Sequence, residues 1–393
     1  MIARKQHRRA HPCMTAAMAT LLAALCGYAG SASGQDYGPI PPYPPMPIPT
    51  PAPGPPATPA AFAETVLVSN GAVSGTAVDA NLINPWGVAR APDGPMWVAN
   101  NATQTATVYD GAGNKLPPVV NLPGGTNGPA AATGLVFNGT EDFVVGNGTA
   151  SGAAPFIFAG EGGTLLAWSP AVDAANAIIV HDDGAGGAVY KGLALAGNGG
   201  TNFLYATDFH NGKVDMFDAQ FQKVAAPGGF TDPVLPPGYA PFGIQALEVG
   251  GQTVIVVTYA QRATDSDEDV PGAGLGLVNV FDIQGVLLRH LVPVGGNLNA
   301  PWGVALAPAS FGSLASTVLI GNFGDGIINA YDPLSGAFVG TIKDASGQPL
   351  VNEGLWGLAF GNDTNSQPAT TLYFTAGIAD EAAGLYGRID LRP

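Results

Sequence analysis

Six short segments ending in glycine place an unusual set of side chains at one recurring position. They are Trp86 before Gly87, Thr133 before Gly134, Lys191 before Gly192, Phe242 before Gly243, Trp302 before Gly303 and Trp356 before Gly357. Three indoles, a phenyl ring and an ammonium at one level would make a flat apolar surface for stacking sugar faces or another amphipathic ligand, with Lys191 adding a charge-assisted hydrogen bond. The competing reading is that these aromatics fill the middle of the fold, because large rings are core residues by default.

Two polar sets accompany them. Asn100, Asn147, Asp208 and Asn322 each end an apolar run and form a candidate inner ring for sugar hydroxyls or an ion. Asp208 and His210 are the acid-base pair to test first if the protein is a hydrolase. Removal of the amino-terminal leader described below leaves His181, His210 and His290, and no Gly-x-Ser-x-Gly elbow occurs. Asp265, Asp267 and Asp269 stand at alternating positions beside Glu268, a spacing with which oxygen ligands could hold Ca²⁺. The EF-hand template fails, since its sixth position is Val270 and its twelfth is Gly276. A solvated acidic loop is the plainer reading of such a run.

The elements that must carry these residues repeat. Asn299 to Asp332 reads as one unit: a Pro-Trp-Gly turn, an apolar strand from Val304 to Ala307, a second from Val318 to Asn322, and a third from Ile327 to Tyr331 after Asp325-Gly326. Asp-Gly is a strong two-residue hairpin signal because both positions tolerate positive φ. Six copies follow one another at glycine spacings of 47 to 60 residues. Their second strands are expected at Met96 to Asn100, Phe143 to Asn147, Leu204 to Asp208, Val254 to Tyr259, Val318 to Asn322 and Leu372 to Ala376. The expected fold is all-β, a six-bladed β-propeller over residues 62–393. The last unit lacks an outer strand and Glu64 to Ser69 is a strand without a blade, so the two should pair and close the ring. In this topology the loop leading into each inner strand and the loop between second and third strands share one face. The insertion from Thr149 to Gly163, the acidic loop from Thr264 to Gly274 and the segment from Ala376 to Gly384 should gather there.

Composition agrees with many short strands and tight turns: 393 residues with 56 glycines and 11% charged side chains. The first 34 residues have the form of a secretory signal peptide, with a basic head, an apolar run from Met14 to Leu25 and small residues around Ser31 to Gly34. Both cysteines, Cys13 and Cys26, fall inside it, and bulky Leu25 argues against a lipoprotein site. Residues 35–61 are a proline-dominated linker, expected as an extended polyproline II spacer. The expected address is the periplasm or the exterior, without an integral membrane span in the mature chain. Loss of the leader leaves ten basic residues against 29 acidic ones, a net −19, which disfavours nucleic acid and anionic membranes as partners.

The repeat resembles six-bladed propellers of the NHL and gluconolactonase-like types. The segments Asn84-Pro85-Trp86-Gly87, Pro301-Trp302-Gly303-Val304-Ala305, Gly321-Asn322-Phe323-Gly324-Asp325-Gly326, Gly354-Leu355-Trp356-Gly357-Leu358 and Phe374-Thr375-Ala376-Gly377 are similar to an exported bacterial family of conserved hypothetical proteins. Some of its members carry a Pro-Glu-Pro sorting tail, and this chain ends at Leu391-Arg392-Pro393 instead. The family implies a fold and no activity. The gluconolactonase likeness implies a central divalent metal held by Glu, Asn and Asp, several of them in the lead-in turns; here those positions are Trp86, Thr133, Lys191, Phe242, Trp302 and Trp356. The sequence therefore favours a recognition platform for a glycan, polymer or protein over the alternative, a metal-assisted hydrolase or lactonase.

Overall fold

The computed structural model describes residues 61–197 and 199–392. The segments expected as a signal peptide and a proline-rich linker, with both cysteines, lie outside the described residues up to residue 60. Within them the chain forms six antiparallel sheets arranged as blades, with a small two-stranded ribbon beside them. Blade one runs Pro85–Arg90, Met96–Asn100, Thr105–Tyr109 and Lys115–Asn121 from the inside out. Blade five has the repeat read from the sequence: Pro301–Leu306, Val318–Asn322, Ile328–Tyr331 and Phe338–Thr341. Among the described residues no helix is long and apolar enough to cross a membrane.

Glycine closes the ring. A Cβ on Gly357 would lie 2.5 Å from the carbonyl oxygen of Trp86, and one on Gly243 would lie 2.1 Å from that of Trp302. Gly87, Gly134, Gly192 and Gly303 meet the next inner strand in the same way. Each glycine thus lets one inner strand touch the backbone of the next, and the cycle returns from blade six to blade one. Threonines lock the contact: Thr207 Oγ1 donates to Phe242 O at 2.6 Å, and Thr375 Oγ1 to Trp86 O at 2.6 Å. Apolar clusters between the blades supply the remaining cohesion, as with Ile320, Val304 and Val256 between blades four and five.

The amino-terminal strand completes blade six. Ala61–Ser69 pairs antiparallel with Leu385–Arg392, from Ala61 opposite Arg392 to Ser69 opposite Leu385, with one bulge near Val66. The sequence-based expectation of closure by this segment matches the observed sheet.

Blade two departs from expectation. Its second strand is Phe156–Gly160, not Phe143 to Asn147, and it pairs with both Ala132–Phe137 and Thr164–Trp168. Val144–Gly146 instead forms the ribbon with Ser151–Ala153. The run from Phe143 is as long as other second strands, but Asn147 turns it back by accepting bonds from Thr149 N and Ala150 N at 3.0 Å. Asn147 therefore caps a hairpin in the loop after the inner strand, on the face opposite the lead-in turns.

Candidate functional site

The lead-in turns are bent by left-handed residues. Asn84, Ala131 and Ala300 have φ of 47°, 45° and 44°, and each carbonyl accepts a bond from the residue following the second strand of its blade. These donors are the amides of Asn101, Glu161 and Phe323, at 3.0, 3.1 and 3.0 Å. In blades one, two and five this geometry leads into the side chain before the glycine and sets the second-to-third strand loop beside it.

Inside the mouth, Trp86, Phe242, Trp302 and Trp356 are 2%, 0%, 9% and 0% exposed. Trp86 stacks on Trp356 at 3.4 Å, and Trp302 stands edge-on to both at 5.7 Å. Trp302 Nε1 donates to Lys191 O at 2.8 Å and Trp356 Nε1 to Asn84 Oδ1 at 3.1 Å. The six-fold approach of the inner strands leaves no gap between these rings. They plug the channel: Trp86, Lys191, Phe242, Trp302 and Trp356, expected as a flat stacking surface, are all buried.

A cleft of about 270 Å³ lies on the plug. Its floor is Trp86, Trp356 and Phe323, which stacks on Trp356 at 4.2 Å. Its walls are carboxylates from three loops and one ammonium: Glu161, Glu268, Asp269, Asp380, Glu381 and Lys191. Five carboxylates and one ammonium carry a net −4 when all are ionised. Lys191 is buried, pairs with Glu161, and sits 5.3 Å from the centre of the Trp86 ring. Burial alone would pull its pKa down; Glu161, Glu268 and Asp269 outweigh burial and hold it above the ordinary range. Asn101 Nδ2 holds the other oxygen of Glu161 at 2.9 Å.

Burial pushes Asp269 up to about 6, with Glu268 and Glu161 adding to it against the pull of Lys191. Burial likewise pushes Glu381 up to about 7, reinforced by Glu161, Glu268 and Asp269. The hairpin that carries Asp269 inward is closed by Val270 N donating to Gln261 O at 2.7 Å and Ala263 N to Glu268 O at 2.9 Å. Two polar atoms of the cleft residues are buried without a partner, Asp269 Oδ2 and Trp86 Nε1.

The remaining candidates are placed elsewhere. Asp208 is buried and accepts from Val189 N, Asn211 N and Asn211 Nδ2, whereas His210 Nδ1 lies 2.8 Å from Asp267 Oδ1. The proposed acid-base pair is thus split, because Asp208 closes its own hairpin. Asp267 faces His210 and Arg262 while Asp269 enters the cleft, so the three aspartates do not converge on one ion. Among the described residues no three His, Cys, Asp or Glu side chains are grouped to hold a metal. Asn100 donates to Thr105 and Thr107, and Asn322 to Asn297 O and Asp325. Both brace their own blades. Glu161, Asp380 and Glu381 are the acidic cleft residues sequence reasoning missed; the run Gly160-Glu161-Gly162-Gly163 between two apolar segments was the hairpin signal for the first.

Fold and mouth together define a six-bladed β-propeller with a sealed axis and an acidic, aromatic-floored cleft. No family model matches the chain. It is 33% identical over 334 residues to uncharacterized protein R648 of Acanthamoeba polyphaga mimivirus, covering 82% of this chain and 78% of that protein. It is 32% identical over 339 residues to uncharacterized protein L690 of the same virus, covering 84% and 86%. The chain belongs to the family of these mimivirus proteins. These relatives are viral, whereas the family its motifs resemble is bacterial. A solved structure of a Bacteroides thetaiotaomicron protein of unknown function is 13% identical with a TM-score of 0.51, covering 84% of this chain and 76% of that one, a likeness of fold alone.

Proposed function

We propose that this protein is an exported recognition platform that binds a glycan, polymer or protein through the loop-rich face of its propeller. The leader-like segment and the resemblance to an exported bacterial family support the address. The cleft above the tryptophan plug carries the reading. It joins a concave aromatic floor to polar groups that converge on one point, which is how ligand sites are generally built. Asp269 and Glu381, pushed to about 6 and about 7, mark carboxylates crowded beyond what their own partners satisfy. A thermal-shift screen of the folded protein against soluble glycans, cationic peptides and divalent cations tests this. Stabilisation by a glycan or peptide, lost on Glu161→Gln, is expected; no response across the panel overturns the reading.

One observation favours a second reading. Two carboxyls that hold protons near neutrality in one cleft have the property needed of a general acid. On this reading the protein is a hydrolase working with Glu381 and Asp269. Ester or lactone turnover that falls with rising pH through about 7, and disappears in Glu381→Gln, would establish it.

A further inference from the structure

A second cleft of about 320 Å³ adjoins the first and shares Phe323, Asp380 and Glu381 with it. Its walls include Pro271 and Val351, the latter 60% exposed, so an apolar shelf continues from the aromatic floor toward the outside of blades five and six. Glu353 and Asp325 border this shelf. A linear ligand lying along both clefts meets an acidic, π-faced pocket at one end and an apolar surface at the other.

The divider between the clefts is held in an unfavourable backbone shape. Ala379, Asp380 and Glu381 have φ of 58°, 50° and 65°, three successive non-glycine residues in the left-handed region. Side chains with a Cβ disfavour this region, Asp less than Ala or Glu. The turn is tied by Ala379 N donating to Glu353 Oε1 at 3.0 Å and Ala383 N to Ile378 O at 3.1 Å. Strain of this kind persists where the surroundings impose it, and here it presents two carboxylates to the shared wall of the groove.

The chemistry of the floor selects among ligands. Lys191 already occupies Trp86, which also stacks on Trp356, so the ring left to face a ligand is the partly exposed Phe323. Asp269 Oδ2 is an acceptor without a donor, and the carboxyl groups of its cleft outnumber the single ammonium five to one. A neutral sugar would leave that charge unanswered; a second ammonium or guanidinium answers it.

Resting on the platform reading, we propose that the joined clefts bind an extended basic peptide segment of a partner protein. A lysine or arginine side chain enters between Asp269 and Glu381, and an adjacent apolar side chain lies on Phe323, Pro271 and Val351.

The test uses the full chain and a dye-labelled peptide, Gly-Leu-Lys-Leu-Gly, with a counterpart bearing norleucine for lysine, read by fluorescence anisotropy. The lysine peptide is expected to bind at least about tenfold more tightly than the norleucine peptide, and raising salt from about 50 to about 500 mM should weaken it. The double variant Asp380→Asn with Glu381→Gln should lose about tenfold in affinity while keeping its circular dichroism and a melting temperature no lower than that of the parent. Asn tolerates the left-handed region, so this variant preserves the turn. Equal binding of both peptides, or an unchanged double variant, overturns the proposal. Binding of a neutral glycan with no response to the lysine peptide overturns it too, and leaves the platform standing. Silence toward every probe defeats both.

Discussion

At the scale of single residues, the mouth of the propeller is a set of charges kept close by their backbone. Glu381 binds its proton more tightly in the fold, at about 7, than its ordinary value of 4.5 allows in the unfolded chain. The folded state therefore holds the extra proton between those values, and its contribution to stability is complete below about 4.5 and lost as pH rises through about 7. Replacing Glu381 with Gln should raise the melting temperature at pH 8 by about 2 °C and leave it nearly unchanged at about pH 4, below the unfolded value of 4.5, a comparison that scanning calorimetry makes directly. Little of this was legible from residue types. The positions of Trp86, Lys191 and Trp356 could be read from the repeat, but their burial could not, because it depends on how closely six strands approach one axis. Glu381 sits in an alanine-rich loop whose left-handed backbone has no signature in composition.

At the scale of elements, the repeated glycine was the most informative letter in the sequence. It marked each inner strand, and its physical reason is the backbone-to-backbone contact between neighbouring blades. Gly357→Ala would press a methyl group against Trp86 O, Val88 Cγ1 and Thr375 Oγ1 at 2.5, 2.8 and 2.9 Å. Such overpacking costs about 1–3 kcal/mol, which denaturant titration would read as a lower midpoint at unchanged slope. Five of the six second strands were placed correctly because each is an apolar run following the marked inner strand. Blade two misled because Phe143 to Asn147 imitates the shared pattern, while the true strand, Phe156–Gly160, follows a ribbon that the other blades lack. That ribbon moved Asn147 to the opposite face and hid Glu161 behind a mistaken register.

For the molecule as a whole, stability depends on a ring held shut by one hydrogen-bonded seam. A chain lacking residues up to Ser69 would leave Leu385–Arg392 as a bare edge with Phe62 and Val66 gone from the cluster around Ile389. Its melting temperature should fall by about 5 °C or more, with aggregation through the open edge visible by light scattering. Seam formation joins residue 61 to residue 392, so it pays loop-closure entropy over almost the entire described chain.

The seam also imposes an order on biogenesis. The strand that leaves the ribosome first among the described residues has its partner in the one that leaves last, so blades one to five can form during synthesis while the circle stays open until residue 392 is released. A nascent chain therefore keeps the edge of its first strand bare throughout synthesis and covers it only when the last strand is free to pair.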